Sequence, residues 1–464
     1  MKSILFTTIA ILSVVLINNS IYCQNNISIT GKIATPQTTS TEISSDSFLF
    51  FDRLIIASSA IDETGNFSFN FKLSEPGVYN IFNKSFYMSP GDSINFQVQG
   101  NEYNPEKIVA TGRNANNYVL SIQLDSLKRK LPFNPYVYKF ENDLDHFCDS
   151  LSLNKTFLLN QLSEFCNNHL LSNQAIGYFK ALVTYNYYDQ LLYPLSAKKI
   201  NINQLTLNYQ KLLNGIELKH DSLARYREYL FTAIGLIDYK AKNYQNFNMF
   251  DIINDNSVGL TREFLLTKYA YSLVNKYTSK DSLLIENAFK KIDTHITDND
   301  FRTYFDKAKG KIGKYLNPLP KEVLQTIVMD SIGNKSTFSD LLKKGAGKVI
   351  VLDFWASWCG PCKKGMPLIN QLKDKLNNKQ IIFDFISVDK TEMDWRKGME
   401  TVQVPGNHFW VDSNFKSALA QYLDIKTIPR YVILNKSGKI EKLEARDPSE
   451  GNWLSDEIES VLNQ

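Results

Sequence analysis

Beyond its first two dozen residues the chain lacks any sustained apolar run. No later segment therefore has the roughly 20 apolar residues that a membrane-spanning helix needs. Net charge is also scarce: 52 Lys and Arg against 48 Asp and Glu leave +4 over 464 residues, with no dense basic block. That balance describes a mixed-charge surface and gives no reason to expect a nucleic-acid partner. Cysteine is sparse, at five residues. The four beyond the N-terminal segment allow at most two disulfides, and only one pair has a spacing that speaks of chemistry.

What is present begins with the N-terminus. Lys2 precedes an apolar run over residues 4–17, followed by polar residues and Ser20-Ile21-Tyr22-Cys23-Gln24. A positive start and a short apolar stretch are the marks of a secretory signal, with an uncleaved anchor as the alternative. Cys23 can be the residue before the cut, leaving Gln24 first, or a lipidated first residue that tethers the protein to a membrane. A lipid-attachment motif usually has a small residue where Tyr22 stands, which favours simple cleavage. Either outcome places the mature chain outside the cytoplasm, in the periplasm or cell envelope.

The length accommodates about three domains, and 43% hydrophobic residues suffice for their cores. Over residues 24–113 apolar and polar residues alternate between turns. Residues 65–73 and 77–82 read as strands, and Pro90-Gly91-Asp92 precedes another. Short strands at this spacing predict an antiparallel β-sandwich. From 114 to 316 the period becomes helical: Leu120, Leu124, Leu127 and Leu131 recur at helical steps, Phe157 and Phe165 border an apolar stripe, and residues 175–192 are rich in Tyr. Such stripes predict an α-helical domain held by helix-on-helix packing. Cys148 and Cys166 fall here, eighteen residues apart. On one straight helix they would lie roughly 27 Å apart, so free thiols are expected; a disulfide would require a break near residues 152–155. The Pro-containing stretch at 317–323 reads as a linker. In the last segment, 317–464, apolar strands at 349–356 and 381–389 and a hairpin at 430–443 alternate with helical patterns, predicting an α/β fold. The expected layout is residues 1–23 signal, 24–113 β-sandwich, 114–316 helical and 317–464 α/β.

Chemistry concentrates in FWASWCGPCKKGMP, residues 354–367. An apolar strand ends near Phe354, and a helix begins at Cys359-Gly360-Pro361. Proline suits a first helical turn, where its missing N–H is no loss. Leu368, Leu372 and Leu376 supply an apolar face. Cys359 then stands at a helix N-terminus, where unpaired N–H groups and the helix dipole favour a thiolate, so it is the expected nucleophile. Cys362, one turn on, is the expected resolving thiol. Asp353, on the preceding strand, is the candidate acceptor for its proton, because burial raises a carboxylic acid toward thiol pKa values. The plainer reading of Asp353 is a hydrogen-bonded strand residue. Zinc needs four ligands and this pair supplies two, with His408 the sole histidine near in sequence and no second Cys pair in the segment. A four-residue disulfide loop restrains little chain entropy, which makes a purely structural staple a poor clamp. Neither metal nor cofactor is expected beyond a redox-active Cys359–Cys362 disulfide.

The stretch VIVLDFWASWCGPCKK…P, with Thr427-Ile428-Pro429 ahead of a strand, resembles the thioredoxin superfamily, in particular the exported TlpA/ResA-like thiol–disulfide oxidoreductases. The resemblance covers about residues 318–464, one third of the chain. The small β-domains that precede such domains in many exported bacterial proteins are similar to the N-terminal segment. Cys-X-X-Cys thiols at helix N-termini have pKa values lowered to about 3.5–7.5 across known cases. The resemblance implies a cis Pro429 against the cysteine pair, with the backbone at Ile428 and the side chain of Trp358 contacting an extended substrate. It also implies protein disulfides as substrate and an upstream thiol as electron donor. Gly-Pro between the cysteines leans toward reduction over oxidation, with isomerisation as a variant; the direction depends on the partners' potentials. A redox-sensing or partner-binding module, whose dithiol regulates without turning over, is the alternative.

Two departures stand out. TlpA/ResA-like proteins often carry Glu three residues after the second cysteine, where this chain has Gly365, and they often lack the strand acid that is present here as Asp353. One acid position has been exchanged for the other. Arg430, directly after Pro429, replaces a small polar residue; it either serves the Cys359 thiolate or an acidic substrate, or points into solvent.

Overall fold

The computed structural model describes residues 26–46, 53–139, 143–196, 200–243, 248–376, 380–402 and 405–463. The expected signal segment and Cys23 lie outside them. The chain divides into two compact units, residues 1–268 and 269–464.

In the first unit, alternation along β1 (Asn26–Ile33) buries Ile27, Ile29 and Ile33 and leaves the residues between them on the other face. The strands β2 (Ser40–Asp46), β3 (Arg53–Ala60), β4 (Asn66–Lys72), β5 (Gly77–Ile81), β6 (Lys84–Met88), β7 (Ser93–Gly100) and β8 (Pro105–Arg113) follow, with the same alternation clear in β4 and β7. They form two four-stranded sheets, ordered β4-β1-β7-β8 and β3-β2-β5-β6. Strand pairs are antiparallel except β1 with β7, which is parallel. Ile29, Phe69 and Phe96 of one sheet and Ile43, Ile81 and Phe86 of the other share a single core. Fully buried Asp92 ties this sandwich to α1 (Ala115–Lys128): its carboxylate accepts from Ser89 N, Asn114 Nδ2 and Tyr118 OH at 2.9, 2.8 and 2.7 Å.

The helices α2 (Leu144–Asn168), α3 (Asn173–Ser196), α4 (Leu207–Asn214), α5 (Arg227–Asn243), α6 (Met249–Asn256) and α7 (Gly259–Asn275) follow. Leu120, Leu124 and Phe165 join the packed stripe as expected, but Phe157 is exposed and Leu158 and Leu162 carry the α2 face. Cys148 and Cys166 sit on α2, unbroken between them, and both are free thiols. In α3, buried Tyr178, Phe179, Tyr185 and Tyr187 point to several sides, so this helix is surrounded and has no single apolar stripe.

The second unit takes in the end of α7, then α8 (Ser282–Asp293), α9 (Asn299–Leu316) and α10 (Lys321–Leu324), so the expected 316/317 boundary falls inside it. Hydrogen bonds explain the association. The Tyr315 hydroxyl accepts from Leu443 N at 3.4 Å, and Ser279 N donates to the Glu441 carboxylate at 2.8 Å. Tyr277 stacks on Tyr315, with ring centroids 4.4 Å apart.

The remainder consists of β9 (Ile327–Asp330), β10 (Lys335–Thr337), α11 (Phe338–Lys344), β11 (Val349–Trp355), α12 (Gly360–Leu376), β12 (Ile381–Ser387), α13 (Glu392–Val402), β13 (Asn407–Val411), α14 (Ala418–Tyr422), β14 (Arg430–Leu434), β15 (Ile440–Ala445) and α15 (Trp453–Leu462). The seven-stranded sheet runs β10-β9-β13-β12-β11-β14-β15. Every residue of β11 is buried, as a strand covered on both faces requires; it pairs parallel with β12 and antiparallel with β14. Short β9, β10 and β13 carry too little alternation to stand out in the sequence. The chain is thus multidomain, with an N-terminal β-sandwich, a helical middle and a C-terminal α/β fold.

Candidate active site

The site lies where β11 gives way to α12. Cys359 directly precedes the helix, and Cys362 N donates to its sulfur at 3.2 Å, so one of the helix's otherwise orphaned N–H groups points at Cys359. Cys359 and Cys362 are joined by a disulfide, and both are buried, at 4% and 1% exposure. The core-facing row of α12 is Cys362, Met366 and Ile369, with Leu372 and Leu376 partly buried. Leu368, expected on that face, is only half-buried. Pro367 lies inside α12 and withholds one N–H from the helical ladder.

Asp353, 2% exposed, lies between Val351 and Trp355 on the face of β11 that packs with both cysteines, and neither of its carboxylate oxygens has a protein hydrogen-bond partner. The hydrogen bonds of an ordinary strand carboxylate therefore do not come from the protein here. Burial, reinforced by the nearby Asp447 charge, pushes its pKa up to about 8. Directly opposite Asp353 on β14 stands Tyr431, also 2% exposed, its hydroxyl likewise without a partner. Burial first, then Asp353 and Asp447, hold this phenol well above its ordinary range. A Cβ placed on Gly365 would lie 3.2 Å from the Tyr431 hydroxyl. The space beside the pair left by a side chain at position 365 is thus bordered by that phenol.

The loop before Cys359 is held by Asp389. Its carboxylate accepts from Ser357 N at 2.8 Å and Ser357 Oγ at 2.6 Å, while Ser387 Oγ donates to it at 2.9 Å and Trp410 Nε1 donates to its backbone oxygen at 2.9 Å. A Cβ on Gly398 would meet Ser357 Cβ at 2.7 Å, so only glycine lets α13 approach so closely. Sequence reasoning passed over Asp389, Gly398 and Tyr431. Asp389 had a signal, a carboxylate just past the second core strand; the other two are defined by contacts distant in sequence.

The Ile428–Pro429 bond is cis, and Ile428 packs on the cluster that contains both cysteines. Trp358 is 63% exposed, beside Phe415. Arg430 lines the cleft beside Pro429 and does not point freely into solvent. It is largely covered, donates to Leu443 O at 3.1 Å and pairs with Glu444 of β15 at 2.9 Å. His408 of β13 stacks on Phe385 of β12, with ring centroids 4.7 Å apart. A cleft of about 1020 Å³ adjoins Pro429, lined on one side by Tyr277, Lys311, Lys314 and Tyr315 and reaching Tyr431 and Asp447.

A disulfide-forming cysteine pair at a helix N-terminus, packed on the sheet face that carries a buried carboxylic acid and beside a cis-proline turn, is equipped for disulfide exchange. Comparison with known proteins gives the same answer. A thioredoxin-like family model matches residues 347–440. The thiol-disulfide oxidoreductase ResA of Bacillus cereus is 28% identical over 137 residues, spanning 30% of this chain and 71% of that protein. Thioredoxin-1 of Caenorhabditis elegans is 30% identical over 110 residues, spanning 24% of this chain and 72% of the relative. Among solved structures, a thiol-disulfide oxidoreductase from Bacteroides fragilis is 23% identical, with a TM-score of 0.27, covering 30% of this chain and 99% of its own. With its CGPC pair set in a thioredoxin-like domain homologous to ResA, the chain belongs to the thioredoxin family as a thiol–disulfide oxidoreductase.

Proposed function

We propose that this enzyme acts outside the cytoplasm, reducing or isomerising protein disulfides. The observation that carries the reading is the CGPC disulfide packed on the sheet face that bears buried Asp353, a carboxylic acid whose pKa of about 8 lies near that of an ordinary thiol. Cys359 thiolate attacks a substrate disulfide; a new S–S bond forms, the substrate's own breaks, and its leaving sulfur takes a proton from solvent. Cys362 then gives its proton to Asp353 and attacks Cys359 Sγ. The Cys359–Cys362 disulfide forms, the second substrate sulfur leaves, and two electrons have passed to the substrate. An upstream thiol donor restores the dithiol. Trp358, Ile428 and Pro429 form the surface on which the substrate lies, its backbone pairing at Ile428. Export rests on Lys2 and the apolar run over residues 4–17, with a membrane tether only where Cys23 carries lipid.

Turnover of insulin disulfides tests the activity, and Cys359→Ser is expected to abolish it. A Cys362→Ser variant should accumulate mixed disulfides on Cys359 in the exported compartment. Full insulin turnover by Cys359→Ser, or no covalent adducts on Cys362→Ser, would sink the proposal.

A further inference from the structure

Resting on that reading of the pair, we infer that the cleft beside Pro429 selects substrates by charge: Lys311 and Lys314 of α9, with Lys442 of β15, receive the carboxylates of an acidic polypeptide segment that runs on from the substrate cysteine.

The cleft belongs wholly to the second unit, and α9 supplies one of its walls. The hydrogen bond from Leu443 N to the Tyr315 hydroxyl docks α9 against β15, with Tyr277 stacked on the same ring. Lys311 stands one turn before Tyr315 and three residues before Lys314, so the docked helix turns both lysines toward the cleft. Lys442, the neighbour of Leu443, lines it from β15. Pro429 borders the cleft on the side of the redox pair, because Ile428 before it packs on the cluster that contains both cysteines.

Charge partners along the cleft are uneven. Asp424 pairs with Lys426 at 3.0 Å, Glu444 with Arg430 at 2.9 Å and Glu450 with Arg446 at 3.1 Å. Asp447 accepts from Ser449 N and Oγ at 2.8 and 2.6 Å, and Glu457 accepts from Arg446 N at 3.0 Å. Every carboxylate lining the cleft is thus engaged within the fold. Among the described residues, Lys311, Lys314 and Lys442 have no carboxylate within ion-pair distance. Lys314 Nζ rests over the Tyr422 ring, 5.5 Å from its centroid. Burial first, and then Lys311, Lys426 and Arg430, hold the Lys314 pKa below the usual lysine range against the opposing pull of Asp424. Crowded cations without counter-charges favour an incoming anion. The turn at Pro429 decides what that anion is attached to. A substrate backbone pairing at Ile428 is extended, and its flanking side chains pass Pro429 into the cleft.

The test uses the reduced full chain in single turnover, with peptides that differ only beside one cysteine, which carries an aryl thiol in disulfide linkage. The flanking residues are glutamates, glutamines or lysines. Cys359 thiolate attacks the peptide sulfur; the peptide–Cys359 disulfide forms, the sulfur–aryl bond breaks, and the leaving aryl thiolate is read by its absorbance. Each rate is divided by that of dithiothreitol on the same peptide, which removes the peptides' own reactivity. Partly exposed ion pairs contribute a few-fold each, so the glutamate peptide should react about tenfold faster than the glutamine peptide below saturation. The lysine peptide should be slowest, and the preference should shrink in high salt. Combining Lys311→Gln, Lys314→Gln and Lys442→Gln should bring the glutamate and glutamine rates together. Lys311→Gln alone, at an exposed position, should narrow the ratio about threefold, and decides the matter if the combined variant does not fold. Equal rates for the two peptides with the unmodified protein, or an unchanged preference in the folded variants, overturn the charge selection alone. No aryl thiol from any peptide overturns the reading of the pair as well.

Discussion

In the proposed mechanism Asp353 has two effects that pull in opposite directions. As a base it should govern resolution: the ionised fraction grows as pH rises through about 8, so Cys362-dependent release of the substrate should rise over the same range. Asp353→Asn is expected to slow that step by about 10²-fold and flatten its pH profile, measured by rapid-mixing kinetics. As a buried carboxylic acid it weakens the fold. Its folded pKa lies above the unfolded value of about 3.9, so the native state binds the extra proton and stability declines as pH climbs from there to about 8. Denaturant unfolding of the oxidised protein at pH 9 should accordingly show Asp353→Asn more stable than wild type, by a few kcal/mol on the order of magnitude. Equal stabilities at pH 9 would mean that Asp353 is not the unpaired acid described. At this scale the sequence was informative: both cysteines, Asp353 and Pro429 are legible from spacing and resemblance. Arg430 was not, because its partner Glu444 is supplied by a neighbouring strand fourteen residues away.

At the scale of elements, the catalytic loop is held by two contacts from the second βα unit. Asp389, two residues past the end of β12, fixes the backbone at Ser357, and Gly398 lets α13 lie against the same residue. Gly398→Val should clash with Ser357 and lower the unfolding temperature by about 5 °C or more together with activity. Asp389→Asn keeps the shape but weakens charge-assisted bonds, and should cost about 1–3 kcal/mol. Calorimetry and insulin turnover on the two variants check this; an unaltered melting curve for Gly398→Val would refute the close approach. Elements with long, regular patterns, such as β11, β12 and the β14–β15 hairpin, were readable in advance. Three-to-five-residue strands such as β10 and β13 were not, since their pairing partners, and not their own alternation, define them.

For the molecule as a whole, the second unit begins well before the linker-like prolines. Tyr277 and Tyr315 are buried, and Tyr315 binds the β15 backbone. A fragment beginning at residue 317 loses those contacts and uncovers Leu443, whereas one beginning at 269 retains them. The longer fragment is expected to melt several degrees higher, and the shorter to lose the wall of the cleft formed by Lys311, Lys314 and Tyr315. Identical melting temperatures would show that α8 and α9 do not stabilise the α/β fold.

The sequence by itself determined the three kinds of structure, the position of the redox pair at a helix start and the acid on the strand before it. These depend on periodicity and short-range spacing, which are local properties of the chain. Only the tertiary structure decided that Tyr431 and Gly365 meet beside Asp353, that Arg430 pairs with Glu444, and that α8 and α9 join the α/β unit. Each of these depends on side chains brought together across strands or between distant helices. No local pattern encodes such meetings, because burial and pairing there are set by the packing of whole elements.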